Sequence, residues 1–349
     1  MVAKHATRTP VKSRAVTPIA FVQALLLAYE RYGADPYDVL RKAQITPAML
    51  RRSDSRISAE QMEQVSEAAM RELDDEALGW WQRRLPWGSY GLLARASLTA
   101  PDLRVALKRW CRHHRLVCDD VALALEADRQ QATITLAEHR PPWPGTRELC
   151  LVTTLRNIHG YASWLVDSRI PLRSVQFPFA RPAHADAYPW MFGCEPVFDA
   201  PVAAFTFDAQ YLALPVKRDE RAARLMLQRA LPLTVRLYRR DRLLVQRVRE
   251  LLAREPAAMV NADALAAALN VSVRTLHRQL QGEGASLQAL KDEARRAHAL
   301  DLLARTQRPI KQIAQAVGFD SEKSFARAFR GWVGQSPSEW RRAGPSGRG

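Results

Sequence analysis

The sequence has little cysteine, and this weighs against two kinds of small stabilised domain. Four cysteines occur in 349 residues, no two form a CxxC pair, and none has a histidine at zinc-ligand spacing. Neither a disulfide scaffold nor a metal site is therefore predicted. We expect free, buried thiols in a reducing compartment at Cys111, Cys118, Cys150 and Cys194.

Long apolar runs are also missing. No stretch approaches the roughly 20 apolar residues that span a bilayer. The apolar stretch 19–28 follows basic residues, but Pro18 stands directly before it, Gln23 interrupts it and no small-residue cleavage site follows, which weighs against a signal peptide. We expect a disordered basic tail over residues 1–16, then a helix with Thr17 as N-cap, Pro18 in its first turn and Gly33 at its end. The expected location is cytoplasmic, without a membrane partner.

The usual catalytic signatures are absent too. The chain has no GxSxG, no glycine-rich phosphate loop and no HExxH, so no catalytic residue and no cofactor is predicted. Positive charge is abundant: 52 Lys+Arg against 36 Asp+Glu give a net charge of +16. Such an excess favours a polyanionic partner, either nucleic acid or an anionic membrane surface.

Up to about residue 231 the pattern is that of an α+β domain. Helical periodicity alternates with short runs of period two, which predict strands. We expect helices over Pro36–Ala43, Ser58–Leu73, Pro101–Leu116 and Thr146–Val166, a β-hairpin from Asp120–Glu126 and Gln131–Glu138, and strands at Ser174–Phe179 and Val202–Asp208 around a loop, Ala180–Pro201. The predicted domains are an effector-binding and dimerisation domain over 17–231 and a connecting helix over 232–256, with its helical pattern in Leu233–Arg254.

The all-helical remainder contains an internal repeat. Residues 265–271 align with 313–319: each gives a short helix, a small residue that allows close helix packing, and a turn residue that tolerates positive φ. A serine N-cap and a second helix follow in both copies. The matched positions are Ala266 with Ala314, Asn270 with Gly318, Ser272 with Ser321, Leu276 with Phe325, and Leu280 with Phe329.

This repeat predicts two helix-turn-helix units. In each second helix, two apolar residues four apart form the buried stripe, and long polar side chains lie off it, where a DNA major groove could receive them. The alternative is a pair of amphipathic helices with solvated basic faces, which two copies in register make much less favoured. The candidate DNA-binding residues are Arg274, Thr275, His277 and Arg278 in the first copy, and Glu322, Lys323, Ser324 and Arg327 in the second.

A linker helix is predicted between the copies. Ser286 caps a helix over 287–305, which is about 28 Å long at 1.5 Å per residue. Successive major grooves lie roughly 34 Å apart, so this spacer could place both recognition helices on one face of DNA. The second unit closes with a capping box, Ser336 to Glu339, that has Pro337 at the first helical position.

The spacing of these residues resembles the signature of the AraC family of bacterial transcription regulators. The resemblance covers about Asn261–Arg342 and is carried by Arg295-x3-Ala299-x2-Leu302-Leu303, Ile310-x2-Ile313-Ala314-x3-Gly318-Phe319, and Phe325-x3-Phe329-x4-Gly334-x-Ser336-Pro337. It implies a double helix-turn-helix DNA-binding domain over 257–343, followed by a tail over 344–349. It also implies recognition of double-stranded promoter DNA by the candidate residues.

The N-terminal domain resembles the "arabinose-binding" type of effector domain found in part of the AraC family. The resemblance is carried by Trp87-Gly88-Ser89-Tyr90-Gly91-Leu92-Leu93 and by Tyr188–Leu214. Because effectors of this domain are diverse, it implies a small-molecule effector without identifying it. A homodimer, and contact with RNA polymerase if the protein is an activator, are further implications.

An aromatic concentration marks a possible effector site in the first domain. Trp87, Tyr90 and Trp110 are the candidate effector-binding residues, with Trp80 and Trp81 nearby in sequence; ordinary core packing is the alternative. His114 shares the apolar helix face of Trp110 and is expected to be a hydrogen-bonded core histidine, not a metal or haem ligand. Three arginines of the same helix could neutralise an acidic effector or form a solvated face: Arg109, Arg112 and Arg115.

These observations favour a sequence-specific DNA-binding transcription regulator, expected to be an activator, that responds to a small molecule and is not an enzyme. Two alternatives remain open. One is a non-specific architectural DNA-binding protein driven by the net charge. The other is a cysteine-based DNA-repair or alkyl-transfer enzyme fused to a DNA-binding domain, which would need an activated thiolate.

Overall fold

The computed structural model describes residues 16–236, 238, 243–254 and 261–343. The chain divides into two compact units, residues 1–239 and 240–349. Residues 1–15 of the predicted basic tail, and the predicted tail 344–349, lie outside the described residues.

The first unit is an α+β domain, as predicted. Its helices are α1 Ile19–Tyr32, α2 Tyr37–Lys42, α3 Pro47–Arg51, α4 Ala59–Glu72, α5 Ser89–Leu98, α6 Leu103–Val117, α7 Arg147–Leu165, α8 Tyr188–Phe192, α9 Glu220–Leu227 and α10 Leu231–Val235, with short 3-10 turns at Ala185–Ala187 and Ala209–Ala213. Its strands are β1 Thr17–Pro18, β2 Arg56–Ile57, β3 Val121–Ala127, β4 Gln131–Glu138, β5 Leu172–Gln176, β6 Pro196–Val197 and β7 Ala203–Asp208.

A five-stranded sheet in the order β3-β4-β7-β5-β6 forms one layer of this unit. The predicted hairpin is confirmed: β3 and β4 pair antiparallel from Val121↔Glu138 to Ala127↔Ala132, and the Asp128 carboxylate accepts two backbone N–H groups in the turn. Helix α7, buried along most of its length, contacts the central strand β7. Buried residues occur on nearly all sides of this helix, so the helix lies within the core of the unit.

Three predicted boundaries in this unit need correction. Thr17 is not an N-cap, because the backbone of Thr17 and Pro18 pairs with β2 and leaves Ile19 to begin α1; Gly33, at φ 66°, does end that helix. The strand predicted at 174–179 runs from 172 to 176, because Phe177 leaves the ladder and bonds to Val197 and Ala200. The predicted loop 180–201 contains α8 and β6.

The second unit is all helical, as predicted. Its helices are α11 Leu243–Arg254, α12 Ala262–Ala268, α13 Val273–Gly282, α14 Leu287–Arg305, α15 Ile310–Ala316, α16 Glu322–Val333 and α17 Pro337–Ala343. Two small hydrophobic cores hold these helices, one around α11, α12 and α13 and one around α15, α16 and α17. Helix α14 belongs to both: Leu287 and Leu290 lie in the first core, Ala299 and Leu303 in the second.

The prediction of one continuous connecting helix over Leu233–Arg254 is wrong. Helix α10 ends at Val235, Arg236 has an extended backbone, and α11 starts again at Leu243. The two helices belong to different cores: α10 packs on α7 in the first unit, whereas α11 buries Val248 and Leu252 in the first core of the second unit. Residues 237 and 239–242 lie outside the described residues.

Candidate DNA-binding surface and effector cavity

The two predicted turns share one backbone geometry. Asn270 has φ 55° in the first helix-turn-helix (α12–α13), and Gly318 has φ 80° in the second (α15–α16). Across each turn the next N–H donates back to the small residue of the first helix, from Val271 to Ala266 at 3.0 Å and from Phe319 to Ala314 at 2.9 Å. A left-handed residue and one returning hydrogen bond thus end both first helices in the same way.

The predicted N-caps are confirmed, with matching distances. Ser272 accepts the N–H of Thr275 at 3.1 Å and donates its hydroxyl proton to the Thr275 hydroxyl at 2.9 Å. Ser321 and Ser324 make the same pair of bonds at 3.1 and 2.9 Å. The hydroxyl oxygens of Thr275 and Ser324 therefore accept a hydrogen bond from the capping serine, while their own hydroxyl protons stay available for another acceptor.

The buried stripe of each recognition helix is as predicted. Leu276 and Leu280 of α13, and Phe325 and Phe329 of α16, are completely buried. The opposite faces hold the candidate DNA-binding side chains. Of these, Thr275 is half-buried, whereas Arg274, His277, Arg278, Glu322, Lys323, Ser324 and Arg327 are exposed.

The spacer helix α14 is fixed to the second turn. Its 19 residues span about 28 Å. The Arg295 guanidinium lies 5.1 Å from the centre of the Phe319 ring and 3.5 Å from the Gly318 carbonyl oxygen. At the end of the unit the predicted capping box is present, with Ser336 and Glu339 bonded to each other's backbone N–H at 3.3 and 2.7 Å.

A cavity of about 130 Å³ lies in the first unit. The three candidate effector-binding residues all line it: Trp110 is 2% exposed, Tyr90 packs against it at 5.6 Å between ring centres, and Trp87 is 42% exposed. Trp80 and Trp81 line it as well. Three arginines of α6 could in principle neutralise an acidic effector, but they are not among the described residues that line the cavity: Arg109, Arg112 and Arg115.

Sequence reasoning missed Glu76 in the cavity wall. Its carboxylate accepts the backbone N–H groups of Gly88 at 2.8 Å and of Tyr90 at 2.6 Å, so it holds the loop that carries the predicted aromatic residues. Gly88 has φ 106°, which only glycine adopts readily. Burial, the largest influence, raises the pKa of Glu76. The acidic run at 74–76, just before the paired tryptophans, was the available signal.

His114 also lines the cavity. Its predicted burial is confirmed, but the predicted hydrogen bond is wrong at Nδ1, which is buried and has no partner among the residues that the structure describes. Burial lowers its pKa to about 4, so the ring is neutral at pH 7. Within the described ranges no group of three or more His, Cys, Asp or Glu side chains could hold a metal ion.

One wall of the cavity is built by the end of the first unit. Leu227, Leu231 and Thr234, from α9 and α10, line it. Helix α10 lies directly on α7: the buried Arg156 donates from Nε to the Thr234 carbonyl oxygen, and Gly160 leaves no room for a side chain beneath the Leu233 carbonyl. Two arginines before and after α10, Arg229 and Arg236, each reach the buried carboxylate of Glu63 at 2.8 Å.

Each of the two units matches a known protein-family model. Residues 33–216, just over half of the chain, match the family model of the N-terminal arabinose-binding domain of the AraC transcription regulator. The chain belongs to the AraC family. Residues 265–343 of this AraC-family regulator match a helix-turn-helix domain model. It is therefore a DNA-binding transcription regulator with an N-terminal ligand-binding domain.

Full-length relatives are known. The ornithine utilization regulator of Pseudomonas aeruginosa is 27% identical over 329 residues, which cover 94% of this chain and 97% of the relative. The transcriptional regulator VirS of Mycobacterium tuberculosis is 26% identical over 331 residues, covering 90% and 94%. The crystal structure of the transcriptional regulator CdpR from Pseudomonas aeruginosa aligns over 93% of this chain and 98% of that one, with 20% identity and a TM-score of 0.33.

Among the described residues of this AraC-family regulator, no helix combines the length and the apolarity needed to cross a bilayer.

Proposed function

We propose that the protein is a one-component regulator in which a small molecule, bound in the cavity of the first unit, changes how the second unit engages a promoter. The observation that carries this proposal is the composition of the cavity wall. Leu227, Leu231 and Thr234 line the cavity, and the chain passes from them within a few residues into the second unit. A ligand that favours one position of α10 would thereby act on the segment that leads to the DNA-binding helices.

The coupling has a direct test. Operators identified by genome-wide footprinting supply the DNA, and its dissociation constant is measured with and without a small-molecule ligand of the cavity. Binding linkage requires reciprocity, so saturating operator must change the ligand's affinity by the same factor. A ligand that binds the cavity but leaves the operator affinity unchanged would contradict the proposal.

We propose that the exposed residues of α13 and α16 read the operator. The opposite face of each helix is buried in a hydrophobic core, so these residues lie on the face that DNA can reach. Arginine can also pair with guanine through two hydrogen bonds. Arg327→Ala should weaken operator binding by about 1–3 kcal/mol and leave non-specific binding nearly unchanged. Equal losses on both DNAs would identify Arg327 as a phosphate contact instead. Arg330→Ala, on the same helix but outside the candidate set, is the matched control.

The architectural alternative predicts a different ratio of affinities. A protein bound mainly through its net charge would show little preference for any sequence, and all its binding would fall steeply with salt. A regulator should prefer its operator by at least about a thousandfold at fixed salt. Competition between operator and random DNA at physiological ionic strength separates the two.

We infer that the protein is not an enzyme. Its cysteines do not suit the alkyl-transfer alternative, because burial, the largest influence, raises the pKa of Cys111 to about 12 and that of Cys150 well above its usual value. Neither thiol would be ionised near neutral pH. Covalent alkyl transfer to Cys150 in the intact protein would overturn this inference.

A homodimer, a cytoplasmic location and, if the protein is an activator, contact with RNA polymerase complete the proposal. For the dimer, Leu92 on α5 and Leu225 on α9 are large, well-exposed apolar side chains on two helices that pack together. Burying them against a second copy would stabilise association. Sedimentation of Leu225→Glu beside the unchanged protein tests this, since a smaller dimer fraction is expected only if α9 is in the interface.

A further inference from the structure

The cavity's lining also restricts what it can bind. We propose that the effector is a small organic cation, an ammonium group on a compact apolar body. This inference rests on the proposed function, since it assigns a chemical class to the ligand of the same cavity.

The charged residues that line the cavity are acidic. Glu67 and Glu76 are its acidic residues, and neither lysine nor arginine is among the described residues that line it. This is unusual in a chain with a net charge of +16. Since His114 is neutral, an anionic ligand would lose its hydration without meeting a countercharge, which is costly.

Glu76 has no paired cation within the part of the chain that the structure describes. Glu67 is paired with the exposed Arg71 at 2.9 Å, whereas no described residue forms an ion pair with Glu76. The two backbone N–H groups that it accepts leave lone pairs on its carboxylate unused. Burial, the largest influence, raises the pKa of Glu76, and the neighbouring Asp75 and Asp74 raise it further, so an adjacent cation would stabilise its charged form.

The remaining wall favours the same ligand. Five aromatic side chains line the cavity, and tryptophan and tyrosine faces attract cations most strongly when both are desolvated. One of these rings already has a cation nearby: the Arg71 guanidinium lies 4.6 Å from the centre of the Trp87 ring. Nδ1 of the buried, neutral His114 has no hydrogen-bond partner among the described residues, and in the tautomer protonated at Nε2 it can accept a hydrogen bond from an ammonium group.

Size limits the apolar body. The cavity volume is about 130 Å³. A cavity of about 150 Å³ accommodates benzene, so the ligand's body should have roughly the size of one six-membered ring. A larger cationic ligand would have to extend past Trp87, the exposed aromatic residue of the lining.

Three probes of nearly equal size and different charge test the inference on the full-length protein: benzylamine, benzyl alcohol and benzoate. Titration calorimetry gives each dissociation constant at pH 7 and fixed salt. Ligands of about eight non-hydrogen atoms can reach millimolar or tighter affinity, because the ceiling for such small ligands is about 1.5 kcal/mol per atom. We expect benzylamine to bind at least about tenfold more tightly than benzyl alcohol, as one charge-assisted hydrogen bond provides, and benzoate to bind most weakly.

Glu76→Gln isolates the charge. Its benzylamine affinity should fall to that of benzyl alcohol, while benzyl alcohol affinity stays the same. Glu60→Gln removes an exposed carboxylate from α4 that does not line the cavity, and it should change neither. Because Glu76 also holds the Gly88 loop, near-ultraviolet circular dichroism must first show that the variant is folded; if it is not, the ranking in the unchanged protein decides.

The outcomes separate this inference from the proposed function. Equal or tighter binding of benzyl alcohol or benzoate overturns the cation class but leaves a ligand cavity, and with it the proposed function, in place. Binding of none of the three at millimolar concentration overturns both the cation class and the effector role of the cavity. Benzylamine binding that Glu76→Gln leaves unchanged also overturns the inference, because the amine would then be bound elsewhere.

Discussion

Replacing Gly160 by alanine should displace α10, the helix that forms one wall of the cavity. A Cβ atom added at Gly160 would lie 2.6 Å from the carbonyl carbon of Leu233 and 3.3 Å from its Cα. Contacts below about 3 Å do not occur for real Cβ atoms, and the neighbouring group is backbone, so α10 must move away from α7. The movement also strains the bond that Arg156 donates to Thr234.

The expected magnitude follows from opposing contributions. An alanine in a helix interior stabilises by about 0.5–1 kcal/mol relative to glycine. Overpacking costs about 1–3 kcal/mol, and a weakened hydrogen bond to the buried Arg156 costs a further 1–3 kcal/mol or so. We therefore expect a net loss of about 1–5 kcal/mol in the stability of the first unit, against a typical total of about 5–15 kcal/mol.

Gly91→Ala is the matched control. Gly91 lies in helix α5 of the same unit, and its added Cβ would meet Arg95 and Leu227 side-chain atoms at 3.4 Å, an ordinary contact. This variant should be neutral or slightly stabilising. Urea unfolding followed by tryptophan fluorescence reports mainly on the first unit, which holds most of the nine tryptophans. If Gly160→Ala unfolds at the same urea concentration as Gly91→Ala, the close packing of α10 on α7 is refuted.

Three further predictions concern the core, pH and thiols. Phe325→Ala should cost the second helix-turn-helix about 3–5 kcal/mol, measured by amide exchange in α15 and α16, whereas exposed Lys323→Ala should leave that exchange unchanged. Burial lowers the pKa of His114 and His159 to about 4, below the unfolded value of about 6.5. Between pH 6.5 and 4 the unfolded chain therefore binds more protons than the folded protein, and the free energy of unfolding should fall as the pH is lowered. The expected loss at pH 5 is about 2 kcal/mol for each histidine relative to neutral pH. An unfolding free energy that does not change over this pH range would contradict the prediction. Under native conditions iodoacetamide should label Cys194 and spare the buried cysteines, which mass spectrometry checks.

The helix-turn-helix pair was predictable because local chemistry determines it. A serine cap, a turn residue that tolerates positive φ, and two apolar residues four apart each act within one or two helical turns. Each of these signals occurs twice, at Ser272 and Ser321 for the caps, so the copies support each other. The structure accordingly reproduces the caps, the turns and the buried stripes.

The cavity was only half predictable, because long-range packing brings its parts together. The aromatic residues near 80–90 and in α6 could be singled out by composition. The acidic run at 74–76 is visible in the sequence, but the role of Glu76 is not, since that role depends on hydrogen bonds to a loop twelve residues away, and no periodicity signals that α10 packs on α7. Competing pairing also explains Thr17, which is a good N-cap by type but lies in a strand because β2 is available as its partner.

The spacer helix α14 has a further consequence for the operator. Because each end of α14 is built into a different core, the two recognition helices are held at a fixed separation and a fixed rotation about the spacer axis. One inserted base pair would turn the far half of a DNA site by about 34–36° relative to the near half. Because α14 is one continuous helix, the second recognition helix cannot follow that rotation. The two halves of the operator should therefore need a fixed spacing, and an insertion between them should weaken binding even when it changes no contacted base.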